Sequence, residues 1–373
     1  MESSSGNPLD RARLLEALAL AEGSFGLSEP NPRVGCVIGS ADGRVFGRGA
    51  TQQAGGPHAE VMALRDAGRA DVRGATAWVT LEPCAHYGRT PPCCEAFIEA
   101  GIARVVVAAA DPFAQVNGAG LGRLHAAGIR VVMADPDITS AARDINIGFF
   151  SRVQRGRPWV RIKVAASLDG RTALPDGRSQ WITGPEARAD GHAWRRRASA
   201  VLTGIGTVLA DNPRLDVRLV PTAHQPLRVV VDSQLRLPPA SRLLDTPGSV
   251  LVTTTSDDVA RAGVLQARGA EVLRLGAATQ RVDLPALLAE LAQRGVNELH
   301  VEAGPRLNAA LLTEGLVDEW LVYLAPVLLG SGRGMADFGP VTELSDAPRF
   351  SDWRFQAIGS DLRILARRAD SGS

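Results

Sequence analysis

The chain of 373 residues is almost without lysine: of its 41 basic residues 40 are arginine, and the only lysine is Lys163. Arginine-biased codon usage accounts for the forty but not for the exception. Arginine cannot lend a proton near neutral pH as a desolvated lysine can, so Lys163 is a candidate for chemistry, with chance retention as the alternative. Charge of one sign is lacking too. The balance against 40 acidic residues leaves a formal net charge of +1, which removes the electrostatic case for nucleic-acid binding. Four cysteines, two of them adjacent, do not make the disulfide framework of a small secreted domain. No apolar run is long enough to span a bilayer. Residues 1–8 are polar and have no basic start, so they read as a disordered tail rather than a signal peptide or anchor. These absences leave a cytoplasmic protein with no membrane or nucleic-acid partner, acting on small neutral or phosphorylated molecules. Its length exceeds the usual single core, and 45% hydrophobic with 22% charged residues suits two globular domains.

What is present concentrates between Pro57 and Cys94. His58-Ala59-Glu60 opens that stretch and Pro83-Cys84 to Pro92-Cys93-Cys94 closes it. One imidazole and two thiolates, His58, Cys84 and Cys93, form a three-ligand zinc set with a position left for water, the mark of catalytic rather than structural zinc. Zinc lowers the pKa of such water toward neutrality, and a carboxylate that does not bind the metal can then shuttle protons; Glu60 is that carboxylate. Residues two apart in a helix interior point to different sides, so His58 and Glu60 share a site only at a helix start, and Pro57 marks one. Cys93 follows Pro91-Pro92 at the start of another helix, where the N-terminus stabilises a thiolate. The alternatives are a closed structural site completed by Cys94 or His86, and cysteines that are buried hydrophobes. Neither gives a reason for Glu60. Cys36, in the apolar run Val34 to Ile38, reads as core.

Along the chain, an amphipathic helix over Leu9 to Ala21 precedes a strand at Val34 to Ile38 and a hairpin turn at Asp42-Gly43. A helix from His58 to Ala67 ends at Gly68. The strand Ala75 to Thr80 delivers Cys84 at its carboxyl end. Strands at Arg104 to Ala110 and Ile129 to Ala134 flank a helix, and the alternation predicts a layered α/β domain. Ala134 to Pro158 reads as a connection, with the domain boundary near Phe150: residues 9–150, then 151–368. The second half restarts with a strand at Trp159 to Ala165. Its strand Leu299 to Glu302 ends in Ala303-Gly304-Pro305 and opens a helix, a ready anion site but not a dinucleotide fingerprint.

H-x-E followed by paired cysteines marks zinc nucleobase deaminases, although here the cysteines are nine apart. With that insertion, PCAHYGRTPPC (Pro83 to Cys93) resembles the deaminase half of the bifunctional riboflavin-biosynthesis deaminase/reductase family. Lys163 to Gly170 (KVAASLDG), Gln180 to Thr183, Thr207 to Asp211 and Val301 to Pro305 resemble its reductase half, so the likeness runs from about Leu9 to Arg368. It implies an α/β protein with an N-terminal cytidine-deaminase-like three-layer domain and a C-terminal dihydrofolate-reductase-like domain, using Zn2+ and NADPH, and forming a homo-oligomer. Implied substrate contacts are Asn31, Arg89 and Thr90 in the first half, with turn capping as the alternative for Asn31, and Ser179, Arg195, Leu215, Arg218 and Glu302 in the second. Implied NADP contacts are Ala165, Trp181, Thr207, Asp211, Ser233, Gly304, Pro305, Arg306, Leu307, Asn308, Ala309 and Ala310. Where the family reads D-P-N-P, this chain has Asp111-Pro112-Phe113-Ala114, so one polar substrate contact is missing. The implied reactions are deamination of a diaminopyrimidine ribosylamino phosphate and NADPH reduction of its sugar, with Lys163 assisting protonation or orientation. The rivals are a single-activity nucleoside or tRNA deaminase whose second half only binds, and a non-enzymatic zinc scaffold.

Overall fold

The computed structural model describes residues 2–3, 6–85, 91–113, 118–276 and 280–368, and the chain divides into two units, Met1–Gly156 and Arg157–Ser373. In the first, strands β1 (Glu2–Ser3), β2 (Gly35–Gly39), β3 (Val45–Ala50), β4 (Thr76–Val79), β5 (Arg104–Val107) and β6 (Arg130–Met133) form one sheet, ordered β1-β6-β5-β4-β2-β3. All pairs are parallel except those that β2 makes with β4 and β3. The helices are α1 (Pro8–Glu22), α2 (Ala59–Ala67), α3 (Cys93–Glu99), α4 (Ala119–Ala126), α5 (Pro136–Ile145) and α6 (Ile147–Arg155).

Strand alternation decides which helix covers which face. Cys36 of β2 pairs with Gly49 of β3, so those two share a face and Gly35 looks to the other. A Cβ on Gly35 would lie 1.9 Å from the Ala17 carbonyl of α1, and one on Gly49 would lie 2.1 Å from the Ala59 carbonyl of α2. The helices therefore seat on opposite faces, close enough that only glycine fits beneath them, and three layers result. In α1, Asn7 caps the first turn by accepting from Leu9 and Asp10 backbone N–H groups, and Leu14, Ala17, Leu18 and Ala21 are buried, the spacing of one helical face. Asp10, buried in that first turn, accepts from Trp78 Nε1 at 2.7 Å and pairs with Arg104 at 2.6 Å. Losing its carboxylate would strand both partners, a cost of about 3–5 kcal/mol.

Residues 134–158 are not a loose connection. Ile138, Ala142 and Ile145 of α5 and Phe149 and Phe150 of α6 belong to the first core, so the boundary expected near Phe150 falls inside α6, and the run Arg152 to Arg157 begins in its last turn. Such aromatic burial is worth more than the local basic and glycine-containing sequence that reads as a linker.

In the second unit strands β7 (Trp159–Ser167), β8 (Ala200–Gly204), β9 (Leu227–Val231), β10 (Val250–Thr254), β11 (Ala270–Arg274), β12 (Glu298–Val301), β13 (Glu319–Ala325), β14 (Phe350–Ile358) and β15 (Asp361–Arg368) make a sheet ordered β11-β10-β9-β8-β12-β7-β13-β15-β14. Its helices are α7 (Pro185–Arg197), α8 (Ile205–Asp211), α9 (Arg242–Asp245), α10 (Val259–Ala267), α11 (Leu284–Gln293) and α12 (Pro305–Thr313). β7, β8, β9 and β12 run parallel, so their carboxyl ends share one edge, where ligands of α/β sheets bind. Along β7, Val160, Ile162, Val164 and Ala166 enter the core, which sends Arg161, Lys163 and Ala165 to the opposite face. Fully buried Arg161 is neutralised there by Glu298 at 2.9 Å and by Glu319, and stacks on Trp194 of α7. No helix among the described residues is long and apolar enough to cross a membrane.

Candidate active sites

His58 is the N-cap of α2, with φ −73° and ψ 165°. Pro57 therefore precedes the helix instead of occupying its first turn. An N-cap residue has extended backbone, so its side chain leaves in a direction no interior position allows, and this is how His58 and Glu60 come to face one cavity. The imidazole makes no capping hydrogen bond. Its Nδ1 lies 3.1 Å from Cys93 Sγ and 3.7 Å from Cys84 Sγ. Cys93 is the first residue of α3, and its backbone N–H donates to Cys84 Sγ at 3.3 Å. The two helix starts converge as the sequence implies.

These three side chains form the group among the described residues able to hold a metal, their donor atoms all within 4.8 Å of one another. A tetrahedral zinc with ordinary Zn–S and Zn–N lengths has N···S and S···S edges of about 3.6 and 3.8 Å, so the donor set fits zinc with little movement. Cys94 is fully buried in the first core and stands outside the group; His86 lies outside the described residues. Cys84 and Cys93 share a hydrogen bond that lowers the Cys84 thiol to about 4 and raises Cys93, the behaviour of two sulfurs competing for one proton. Glu60 is buried, and burial, with the Cys84 charge added, pushes its carboxyl up to about 7. Cys36 is wholly buried beside it, in the core as expected.

The cavity in front has a volume of about 440 Å³ and is lined by Asn31, His58, Glu60, Glu82, Cys84 and Phe113 among others. Asn31 is thus on its wall. Phe113, at the position of the missing polar contact, presents an apolar wall. Arg89 and Thr90 lie outside the described residues. Glu82 is a residue that motif reading passed over. It is buried, its Oε1 accepts from the backbone N–H groups of Gly120 (3.0 Å) and Leu121 (3.3 Å), and its Oε2 from those of Asp111 and Gly118 (3.2 Å each). One carboxylate thereby closes the loop that carries Phe113. The available signal was a charge directly after the buried run Val79-Thr80-Leu81.

In the second unit two cavities meet. A cleft of about 780 Å³ is lined by Lys163, Ala165, Ser179, Thr207, Asp211, Glu302 and Gly304 to Asn308, and a cavity of about 380 Å³ by Lys163, Trp181, Arg188, His192, Arg195, Arg218 and Glu302, with other residues in each. Lys163 and Glu302 stand in both walls. Leu215, Ser233, Ala309 and Ala310 line neither: Leu215 and Ala309 are buried, Ala310 packs against the core, and the Ser233 hydroxyl accepts from the Val282 N–H. Lys163 Nζ lies 5.7 Å from the Tyr323 ring centroid, and burial lowers its pKa against the pull of Glu302. Burial pushes the Glu302 carboxyl up, but Arg195 outweighs it and holds the group well below the usual carboxylate range. Arg195 donates to both Glu302 oxygens, at 2.8 Å through one Nη, and to the Asp216 carbonyl. Most of its donors are therefore committed before any phosphate arrives. The smaller cavity is still lined by four cations, Lys163, Arg188, Arg195 and Arg218, and one carboxylate, Glu302; with Arg218 paired to Asp216 at 2.5 Å, an excess of positive charge remains that suits an anionic group. Arg188 and His192 were missed by motif reading. With Arg195 they follow an i, i+4, i+7 spacing on α7, which places them on one helical face.

Comparison with known proteins divides the chain in the same way. Residues 9–109 match the cytidine and deoxycytidylate deaminase zinc-binding region, and residues 158–364 match the RibD C-terminal domain. The riboflavin biosynthesis protein RibD of Escherichia coli is 44% identical over 366 residues, covering 95% of this chain and 98% of that protein, and RibD of Mycobacterium tuberculosis is 40% identical over 359 residues, covering 94% and 96%. The solved structure of Acinetobacter baumannii RibD superposes with a TM-score of 0.87 at 40% identity, covering 97% of this chain and 99% of that one. The solved structure of a diaminohydroxyphosphoribosylaminopyrimidine deaminase/5-amino-6-(5-phosphoribosylamino)uracil reductase from Thermotoga maritima gives 0.85 at 31% identity, with the same coverage.

Proposed function

The chain belongs to the riboflavin biosynthesis RibD family, and on that footing we propose how its own residues divide the family's two reactions. It is a bifunctional enzyme of riboflavin biosynthesis, with a cytidine-deaminase-like domain followed by a dihydrofolate-reductase-like one. It deaminates 2,5-diamino-6-ribosylamino-4(3H)-pyrimidinone 5′-phosphate and then reduces the ribosyl group to give 5-amino-6-ribitylaminouracil 5′-phosphate. The single-activity alternative has no support, because the second half matches the reductase domain over residues 158–364.

In the deaminase unit His58, Cys84 and Cys93 hold Zn2+, which when bound supplies the Lewis acidity that makes water nucleophilic near neutral pH. Glu60 takes a proton from the attacking water and returns one to the departing ammonia, a task that wants a pKa near the working pH. Asn31 orients the pyrimidine, and Arg89 and Thr90 hold its phosphate. In the reductase unit NADPH supplies the hydride. Ala165, Thr207, Asp211 and Gly304 to Asn308 hold the nucleotide in the larger cleft, and Trp181, the other NADP contact, stands in the wall of the smaller cavity, while Ser179, Arg195, Arg218 and Glu302 order the sugar phosphate beside it. Lys163 assists protonation or orientation at the sugar carbon. The observation that carries this reading is that Lys163 and Glu302 stand in the wall shared by both cavities, where cofactor and substrate must meet.

Purified protein given substrate and NADPH should oxidise NADPH. Glu60→Gln should abolish that while keeping zinc, and pre-deaminated substrate should restore it. No oxidation by wild type with pre-deaminated substrate would remove the reductase reading, and a full reductase rate in Lys163→Arg would remove the role of Lys163. Zinc ligation by free thiols suits a reducing compartment, the cytoplasm. The homo-oligomer is supported by the edge strand β14, where Trp353 and Phe355 are 61% and 77% exposed, since such edges are seldom left open; sedimentation as a monomer alone would exclude it.

A further inference from the structure

The cavity of the deaminase unit carries an aromatic side chain to which the family resemblance gives no role, since Phe113 stands where the family has asparagine. Its walls come from one edge of the sheet. β4 and β5 run parallel, and β2 runs antiparallel to β4, so the segment before β2 meets the segments that follow β4 and β5. They bring Asn31, Cys84 and Phe113 to the cavity wall. In the order β5-β4-β2 the outer two of these positions are two strand spacings apart, about 10 Å, with the metal ligand Cys84 between them. A ring bound at the metal is therefore flanked by Asn31 and Phe113.

Phe113 is exposed without being unplaced. Among the described residues of this unit the large apolar side chains left exposed are Leu15, on α1, and Phe113, 40% exposed on the cavity wall. Its backbone is tied twice. Asp111 N–H donates to Glu82 Oε2 at 3.2 Å, and Asp111 Oδ1 in turn accepts from Phe113 N–H at 2.8 Å. The Phe113 ring takes part in no core, aromatic or cation contact among the described residues. Phe149, the other aromatic of the wall, differs: it is buried edge-on to Phe150, with centroids 6.3 Å apart, and Arg152 lies over its ring. The polar groups of the wall are committed as well. The Thr51 hydroxyl exchanges hydrogen bonds with the Val34 backbone, Glu82 holds its four N–H groups, and His58, Glu60 and Cys84 serve the metal and the proton. Asn31 can address an edge of a bound ring. The face is left to Phe113.

We propose that Phe113 stacks on the pyrimidine ring of the deaminase substrate, so that this chain gains through aromatic contact the binding that a polar side chain there would supply by hydrogen bonding. The inference rests on the deaminase reading of this unit. Stacking of a base on an aromatic side chain uses the π-face and is indifferent to the pattern of donors and acceptors at the edge, which suits a ring whose edges are turned to the metal and to Asn31. Such a contact is made equally in the ground and transition states. It therefore acts on KM and leaves kcat alone.

The test is ammonia release by the full zinc-loaded chain without NADPH, followed against substrate concentration in wild type, Phe113→Ala, Phe113→Leu and Phe113→Tyr. Phe113→Ala should raise KM about 5- to 150-fold with kcat kept, Phe113→Leu should recover a minor part of that loss, and Phe113→Tyr nearly all of it. The reductase KM for pre-deaminated substrate, the zinc content and the melting temperature without ligand should be those of wild type in all three, because the ring is exposed and outside the core. An unchanged KM in Phe113→Ala, a fall in kcat at unchanged KM, or a Phe113→Leu variant equal to wild type, which would mean apolar contact without stacking, would each overturn the proposal. Wild type that releases no ammonia would overturn the deaminase reading itself, a distinguishable failure.

Discussion

Glu82→Gln tests whether one buried carboxylate shapes the deaminase cavity. The side chains have the same shape, but an amide has one oxygen where the carboxylate has two. Whichever way it is turned, two of the four backbone N–H groups at Asp111, Gly118, Gly120 and Leu121 face an NH2 that cannot accept. Each buried donor left unpaired costs about 1–3 kcal/mol. The amide should turn its nitrogen toward Asp111 and Gly118, because Gly118 is exposed and its N–H can reach water, whereas Gly120 and Leu121 are buried. The net loss is then about 2–3 kcal/mol, borne by the loop that carries Phe113. Hydrogen exchange of peptides around residues 82 and 118–121 reads this unit alone, and should show faster opening by about 30- to 150-fold. Zinc content should be unchanged, since no metal ligand is altered, while the deaminase KM rises. Exchange and KM both equal to wild type would refute the reasoning.

Gly49→Ala places a methyl 2.1 Å from the Ala59 carbonyl and 2.4 Å from the Ala63 nitrogen, backbone atoms that cannot turn aside. We expect about 1–3 kcal/mol of destabilisation and a fall in ammonia release, because α2 carries His58 and Glu60, with reduction of pre-deaminated substrate retained. Arg195→Ala leaves Glu302 buried without its partner and should cost about 3–5 kcal/mol, with NADPH oxidation lost and ammonia release kept. His192, buried in the arginine-lined cavity, has its pKa depressed to about 4 by burial and then by Arg195 and Arg218. Below pH 6.5 the unfolded chain binds a proton that the folded ring refuses, so stability falls as pH drops from 6.5 toward 4. The full shift corresponds to about 3 kcal/mol, reduced to about 2 by water in the cavity. Its Nδ1 accepts from the Arg218 N–H, which an asparagine can imitate, so denaturant midpoints across that range should flatten in His192→Asn. Identical slopes in wild type and variant would exclude His192 as the cause.

Sequence alone determined the parts whose geometry is local. His58, Glu60 and Cys93 were legible because a proline and a helix start lie within a few residues of each, and the stiffness of one helical turn decides where such side chains point. Lys163 was legible by scarcity, and the α/β alternation by apolar periodicity. Tertiary structure decided what depends on strand order and on which face a strand turns inward. Lys163 and Glu302 share a wall because β12 inserts beside β7, although the segments between them supply β8 to β11. The commitment of Arg195 to Glu302, the four donors that meet at Glu82, and the withdrawal of Leu215 and Ser233 from the cleft all follow from packing between distant segments. The helices read as a linker joined the first core for the same reason: burial of Phe149 and Phe150 against residues far away in sequence outweighs the basic run beside them. Side-chain direction over one turn is written in a few residues, whereas contact between distant strands is settled only when the whole sheet closes.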